Sequence, residues 1–177
     1  LLLGGIFACV VVWMLSVHVI DKLWLHFLGV TALVTLVGLR FALLVGAIAT
    51  LGYTLLINQS PAGVPVAWLA SVVAPALVSR AVVYKVRGLR SNNLFLYLLG
   101  VGFVGGILAM LATVLAALGL LLLCGQQGWV NEAVQNWPLV LLVLFPEGFI
   151  NGMTVTTLTV FYPHLVKTFD EKYYLGD

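Results

Sequence analysis

The stretch LFLYLLGVGFVGGILAMLATVLAALGLLLLC, Leu94 to Cys124, contains no charged side chain. A bilayer hydrocarbon core about 30 Å thick needs roughly 20 apolar residues of helix, so this stretch predicts a transmembrane helix with residues to spare. The excess predicts a tilt, or a break near Gly100, Gly102, Gly105 and Gly106. On either side of it, Leu1 to Val17, Leu23 to Leu39, Phe41 to Ile57, Val66 to Tyr84 and Pro138 to Tyr162 are further apolar stretches. Together they predict an all-α, polytopic membrane helix bundle with about six crossings, built as one domain over residues 1–177. With 63% hydrophobic and 8% charged residues and a mean hydropathy of +1.17, there is too little polar surface to coat a water-soluble globule.

The breaks between stretches are marked by polar residues and turn formers. His18, Asp21 and Lys22 close the first stretch, and Arg40 separates the second from the third. Asn58 to Pro65 is the densest run of turn formers, while Pro75 predicts a kink inside the fourth crossing. Lys85 to Asn93 reads as a basic loop and Gly125 to Trp137 as a polar one. The polar, aromatic tail 163–177 suits a cytoplasmic membrane surface. The chain opens on Leu1 inside an apolar run, which predicts that native residues precede it.

Six crossings put Arg40, Arg80, Lys85, Arg87, Arg90, Lys167 and Lys172 on one side and Lys22 alone on the other. By the positive-inside bias the side with most of them is cytoplasmic, giving a basic cytoplasmic surface of Arg40, Arg80, Lys85, Arg87 and Arg90 in a bacterial inner membrane. Arg80 is placed to snorkel toward lipid phosphates. The net charge of +2 is not gathered on one solvated face, which excludes nucleic acid as a partner. Cys9 and Cys124 lack metal or redox spacing and read as small apolar side chains. There is no GxxxxGK[ST], HExxH or nucleophile elbow, so neither ATP hydrolysis nor peptidase chemistry is expected in this chain, nor a covalently bound cofactor.

Ionisable groups inside lipid need a partner, water or a function. Glu147 falls near the middle of the last crossing, flanked by Pro146 and Gly148, with Asn151 four residues on and on the same helix face. The pair is either a packing device or part of a polar cavity. On the outward side, His18, Asp21 and His26 lie within nine residues of one another and are the candidate ligands for a divalent transition metal, with interfacial hydrogen bonding as the alternative. Gly4 with Ala8, Gly102 with Gly106, and Ala112 with Ala116 permit close helix contact, within the chain or between subunits.

Two of these stretches carry a family resemblance. His26-Phe27-Leu28-Gly29-Val30, with Leu39-Arg40-Phe41-Ala42-Leu43-Leu44 downstream, resembles a segment of the CbiM/NikM-like permeases, the substrate-capture components of cobalt and nickel energy-coupling-factor transporters. Phe145-Pro146-Glu147-Gly148-Phe149-Ile150-Asn151-Gly152-Met153-Thr154-Val155 resembles their last helix, and Thr168 to Leu175 is similar to the tail of a divergent branch. In the metal-transporting members an N-terminal Met-His and a histidine hold the ion. His26 is the one ligand that carries over, while Lys22-Leu23-Trp24-Leu25 stands where the family has Gly-Thr-Ser-Gly. The resemblance implies a six-helix capture component for a cobalt-like or nickel-like ion, working with a transmembrane coupling protein and cytosolic ATPases. The competing expectation is an accessory subunit that stabilises a larger membrane complex and moves no solute.

Overall fold

In lipid a backbone N–H has no water to turn to, so apolar runs close their hydrogen bonds internally as helices. The computed structural model describes residues 2–14, 16–20 and 23–175, with the backbone alone at 16–20, 23–26 and 175. Helix α1 (Leu2–Met14) leads into an antiparallel hairpin, β1 (Ser16–Ile20) and β2 (Leu23–His26). Helices α2 (Val30–Val37), α3 (Leu39–Leu56), α4 (Pro61–Gly88), α5 (Leu94–Leu123), α6 (Gln127–Gln135), α7 (Trp137–Phe161) and α8 (Glu171–Leu175) follow. Four of them, α3, α4, α5 and α7, are long and apolar enough to cross a membrane, and α1 is a shorter apolar helix. The protein is thus a helical membrane bundle with one small hairpin.

The largest departure from the sequence expectation is at Leu23 to Leu39. Instead of a single crossing, this segment is strand β2 followed by the eight-residue α2. Eight residues rise about 12 Å, less than half the hydrocarbon thickness. Gly125 to Trp137 is also more ordered than a loop, since α6 occupies most of it. Leu94 to Leu123 is one continuous helix, relaxed by a π-helical turn at Leu98–Val104 over two of the four glycines expected to break it. Pro75 is accommodated in the same way, by a π-helical turn at Leu69–Val73 just before it.

All of α2 except Leu36 is buried. α1 and α3 flank it in parallel, as Gly5 against Val45, Gly52 against Val10 and the edge-on Trp13–Tyr53 ring pair show. α4 and α5 run antiparallel on another side, with Thr31 of α2 touching Gly105 and its hydroxyl 2.8 Å from that of Ser79. α7 lies against α5 along a glycine seam. A Cβ on Gly102 would meet Gly152 Cα at 2.9 Å, and one on Gly106 would meet Gly148 Cα at 3.0 Å. The small-residue pair Gly102 and Gly106 is therefore used within the chain.

Gly38 joins α2 to α3 in a single residue at φ 80°, a conformation that disfavours any Cβ. A Cβ there would also lie 3.2 Å from Lys167 Cδ. Gly38→Ala is expected to cost about 1–3 kcal/mol, read as a lower melting temperature in detergent.

Candidate functional site

A helix that starts inside a bilayer brings a specific debt: its first N–H groups and last C=O groups lack intrahelical partners. In water a serine or aspartate at the N-cap would serve. Here the N-cap is Gly29, at φ 63° and with no side chain to offer. α7 supplies the acceptors instead. Glu147 accepts from the backbone N–H of Leu28 through Oε2 at 2.9 Å and from that of Gly29 through Oε1 at 3.0 Å. Asn151 Oδ1 accepts from Ala32 N at 2.9 Å, taking the bond an N-cap side chain would normally take. Asn151 Nδ2 donates to Glu147 Oε1 at 2.7 Å and to the Glu147 carbonyl at 2.8 Å, locking the two side chains together. The positive end of the α2 dipole points at this carboxylate. Trp13 grips the same turn from the other side, its indole N–H donating to Leu28 O at 3.0 Å.

The other end of α2 is closed by the tail. Thr168 donates to Thr35 O from its backbone N–H at 3.1 Å and from its hydroxyl at 3.2 Å, and Lys167 N donates to Leu36 O at 3.2 Å. Tyr97 shares a hydrogen bond of 2.9 Å with the Thr168 hydroxyl, and Arg87 donates to Thr168 O at 2.6 Å. Val166, Thr168, Phe169 and Tyr174 are buried against the bundle end, while Lys167 and Asp170 to Tyr173 stay exposed.

Of the residues singled out in the sequence, Glu147 and Asn151 come together as expected, at 1% and 0% exposure. Asn151 borders a small cavity of about 180 Å³ with Cys9, Gly29, Leu33 and Thr154. Glu147 borders neither that cavity nor a larger apolar one of about 550 Å³ between α4, α5, α6 and α7, floored by Leu28. The cavity beside Asn151 is lined almost entirely by apolar atoms, and the Glu147 oxygens are occupied by the start of α2.

The hairpin register pairs Ser16 with His26 and His18 with Trp24, setting the two histidines two rungs apart on opposite strands. Their side chains, and Asp21 altogether, lie outside the described residues. Among the described residues no group of three His, Cys, Asp or Glu side chains is placed to hold a metal ion. Arg40, Arg80, Lys85, Arg87 and Arg90 are exposed. Lys167 stacks its ammonium over Phe41, next to Arg40, and Arg87 holds the tail, so these residues mark one basic end of the bundle. Sequence reasoning missed Trp13, Lys167 and Thr168 as parts of the site. The available signal was the pair Gly29 and Gly38 bracketing an apolar run too short to cross.

No family model, no curated protein and no solved structure matches the chain.

Proposed function

We propose that the protein is a membrane-embedded solute-capture component of the energy-coupling-factor type, akin to the CbiM/NikM-like permeases, in a bacterial inner membrane. The observation that carries this reading is the interrupted passage through the bundle, hairpin β1–β2 and then half-helix α2, clamped at mid-depth by Glu147 and Asn151. Irregular backbone at membrane depth persists where protein surrounds it or a cavity adjoins it, and interrupted helices are how many transporters build their sites. The stretch from Phe145 to Val155 that resembles the family is the same one that clamps α2.

The proposed cargo is a divalent transition metal, cobalt-like or nickel-like, taken up at the hairpin by His26 with help from His18 and Asp21. The hairpin register supports this by bringing the two histidine positions within two rungs. Release to the opposite side calls for a transmembrane coupling protein and cytosolic ATPases, since the chain carries no nucleotide-binding motif. Isothermal titration of the purified protein with nickel, cobalt, copper and zinc is expected to show one binding event that His26→Ala abolishes. If none of the four binds, and metal uptake is unchanged by His26→Ala, the cargo assignment fails.

A second reading is favoured by one observation: Glu147 and Asn151 spend their hydrogen bonds inside the protein. A bundle that uses its intramembrane polar groups on itself suits an accessory subunit of a larger membrane complex. Native purification separates the two. Co-purification with an ATPase pair and coupling protein supports capture, whereas stoichiometric association with a membrane enzyme supports the accessory role.

A further inference from the structure

The basic end holds a concave pocket that the capture reading does not use. It measures about 280 Å³ and is lined by Arg87 and Arg90 from the end of α4 and its following turn, and by Asp170, Tyr173 and Tyr174 from the tail. Arg87 directs one of its five N–H donors to Thr168 O, and the Arg90 guanidinium makes no hydrogen bond or ion pair among the described residues, its backbone N–H alone donating to Arg87 O at 3.1 Å. Arg90 sits at φ 50°, a left-handed conformation disfavoured for a side chain of its size. Tyr174 is 8% exposed, yet its hydroxyl has no hydrogen-bond partner among the described residues. Buried unsatisfied hydroxyls are few in folded proteins and point to a missing partner. Burial pushes the Tyr174 phenol above the usual tyrosine range; Arg87 opposes the rise, while Tyr173 and Asp170 add to it. It is therefore a neutral O–H donor around neutral pH.

Two guanidinium groups against the Asp170 carboxylate leave the pocket with one positive charge, which matches a singly charged phosphodiester. Position selects its source. The 28 residues of α4 rise about 42 Å, some 12 Å more than the hydrocarbon core, so Arg87 and Arg90 at its end reach headgroup level. We propose that this pocket binds a phosphate group, that of an anionic phospholipid headgroup, between Arg87, Arg90 and the Tyr174 hydroxyl. Basic pockets at helix ends recognise headgroups by this combination of charge and donors. The bound lipid then cements the tail over the end of α2.

The test is native mass spectrometry of the detergent-solubilised full chain, titrated with phosphatidylglycerol, with phosphatidylcholine, and with inorganic phosphate as competitor. One phosphatidylglycerol is expected to be retained in preference to phosphatidylcholine, without displacement by phosphate. Arg90→Gln is expected to weaken retention on the order of tenfold, because it removes charge-assisted donors without touching an internal bond. Tyr174→Phe, which removes only the hydroxyl, is expected to weaken it several-fold. Equal retention of both lipids, or unchanged retention in Arg90→Gln, overturns the site. Displacement by inorganic phosphate at equal affinity overturns the headgroup assignment. Unchanged retention in Tyr174→Phe with a raised melting temperature removes the hydroxyl from it.

Discussion

Replacing Glu147 with leucine is expected to lower the stability of the protein by about 3–5 kcal/mol, taking on the order of 1–3 kcal/mol for each buried donor left without an acceptor. The N–H groups of Leu28 and Gly29 would be stranded at the start of α2, in surroundings with no water, and Asn151 Nδ2 would lose one of its two acceptors. Leucine fills a similar volume, so the loss reports hydrogen bonding more than packing. Glu147→Gln is expected to fall between the two, because its single carbonyl oxygen still accepts while its amide brings N–H groups against other N–H groups. Thermal unfolding in detergent micelles reads the series. A Glu147→Leu protein that melts with the wild type would show that α2 does not depend on this cap.

The second large effect is expected at the glycine seam. In Gly106→Leu even the first added carbon would lie 3.0 Å from Gly148 Cα and 3.2 Å from the Glu147 carbonyl oxygen. These are backbone atoms of α7, which cannot rotate aside as a side chain would. Overpacking of this kind costs about 1–3 kcal/mol and sometimes more. The displacement also pulls Glu147 and Asn151 away from α2, so the loss should reach the upper part of that range. Gly119→Ala on the same helix is the control, since a Cβ there meets nothing within 4 Å. It is expected to be neutral or to gain roughly 0.5–1 kcal/mol from reduced backbone freedom in the unfolded chain. Equal melting of Gly106→Leu and Gly119→Ala would contradict the seam.

The bundle class was legible because hydropathy reports the solvent directly: a run such as Leu94 to Cys124 has no water-soluble alternative. What hydropathy does not report is backbone path. Leu23 to Leu39 is equally apolar whether it forms one helix or a strand and a half-helix, and the deciding interactions lie 119 residues away on α7. The Glu147–Asn151 pairing was legible because four residues of helix put two side chains on one face, and the structure keeps that contact at 2.7 Å. Its purpose was not, since the groups it serves are backbone atoms, which every residue has. The inward contacts of the tail were illegible for a related reason. Its threonine and lysine look solvated by composition, but Lys167 and Thr168 contribute backbone N–H groups to the end of α2, and composition carries no trace of that.

The clamp on α2 divides the molecule mechanically. α2, α5 and α7 are joined by the seam and by bonds at both ends of α2, so they respond to load as one stiff body. α4, at the end away from the basic residues, borders the 550 Å³ cavity through Ala67, Ala70 and Ser71, and carries its π-helical turn at the same level. Atoms facing a void have few dispersion contacts to lose, and a widened turn bends at low cost. Compliance is therefore concentrated on that flank, at the end of α4 away from the basic residues, while the clamped flank is the stiffer one.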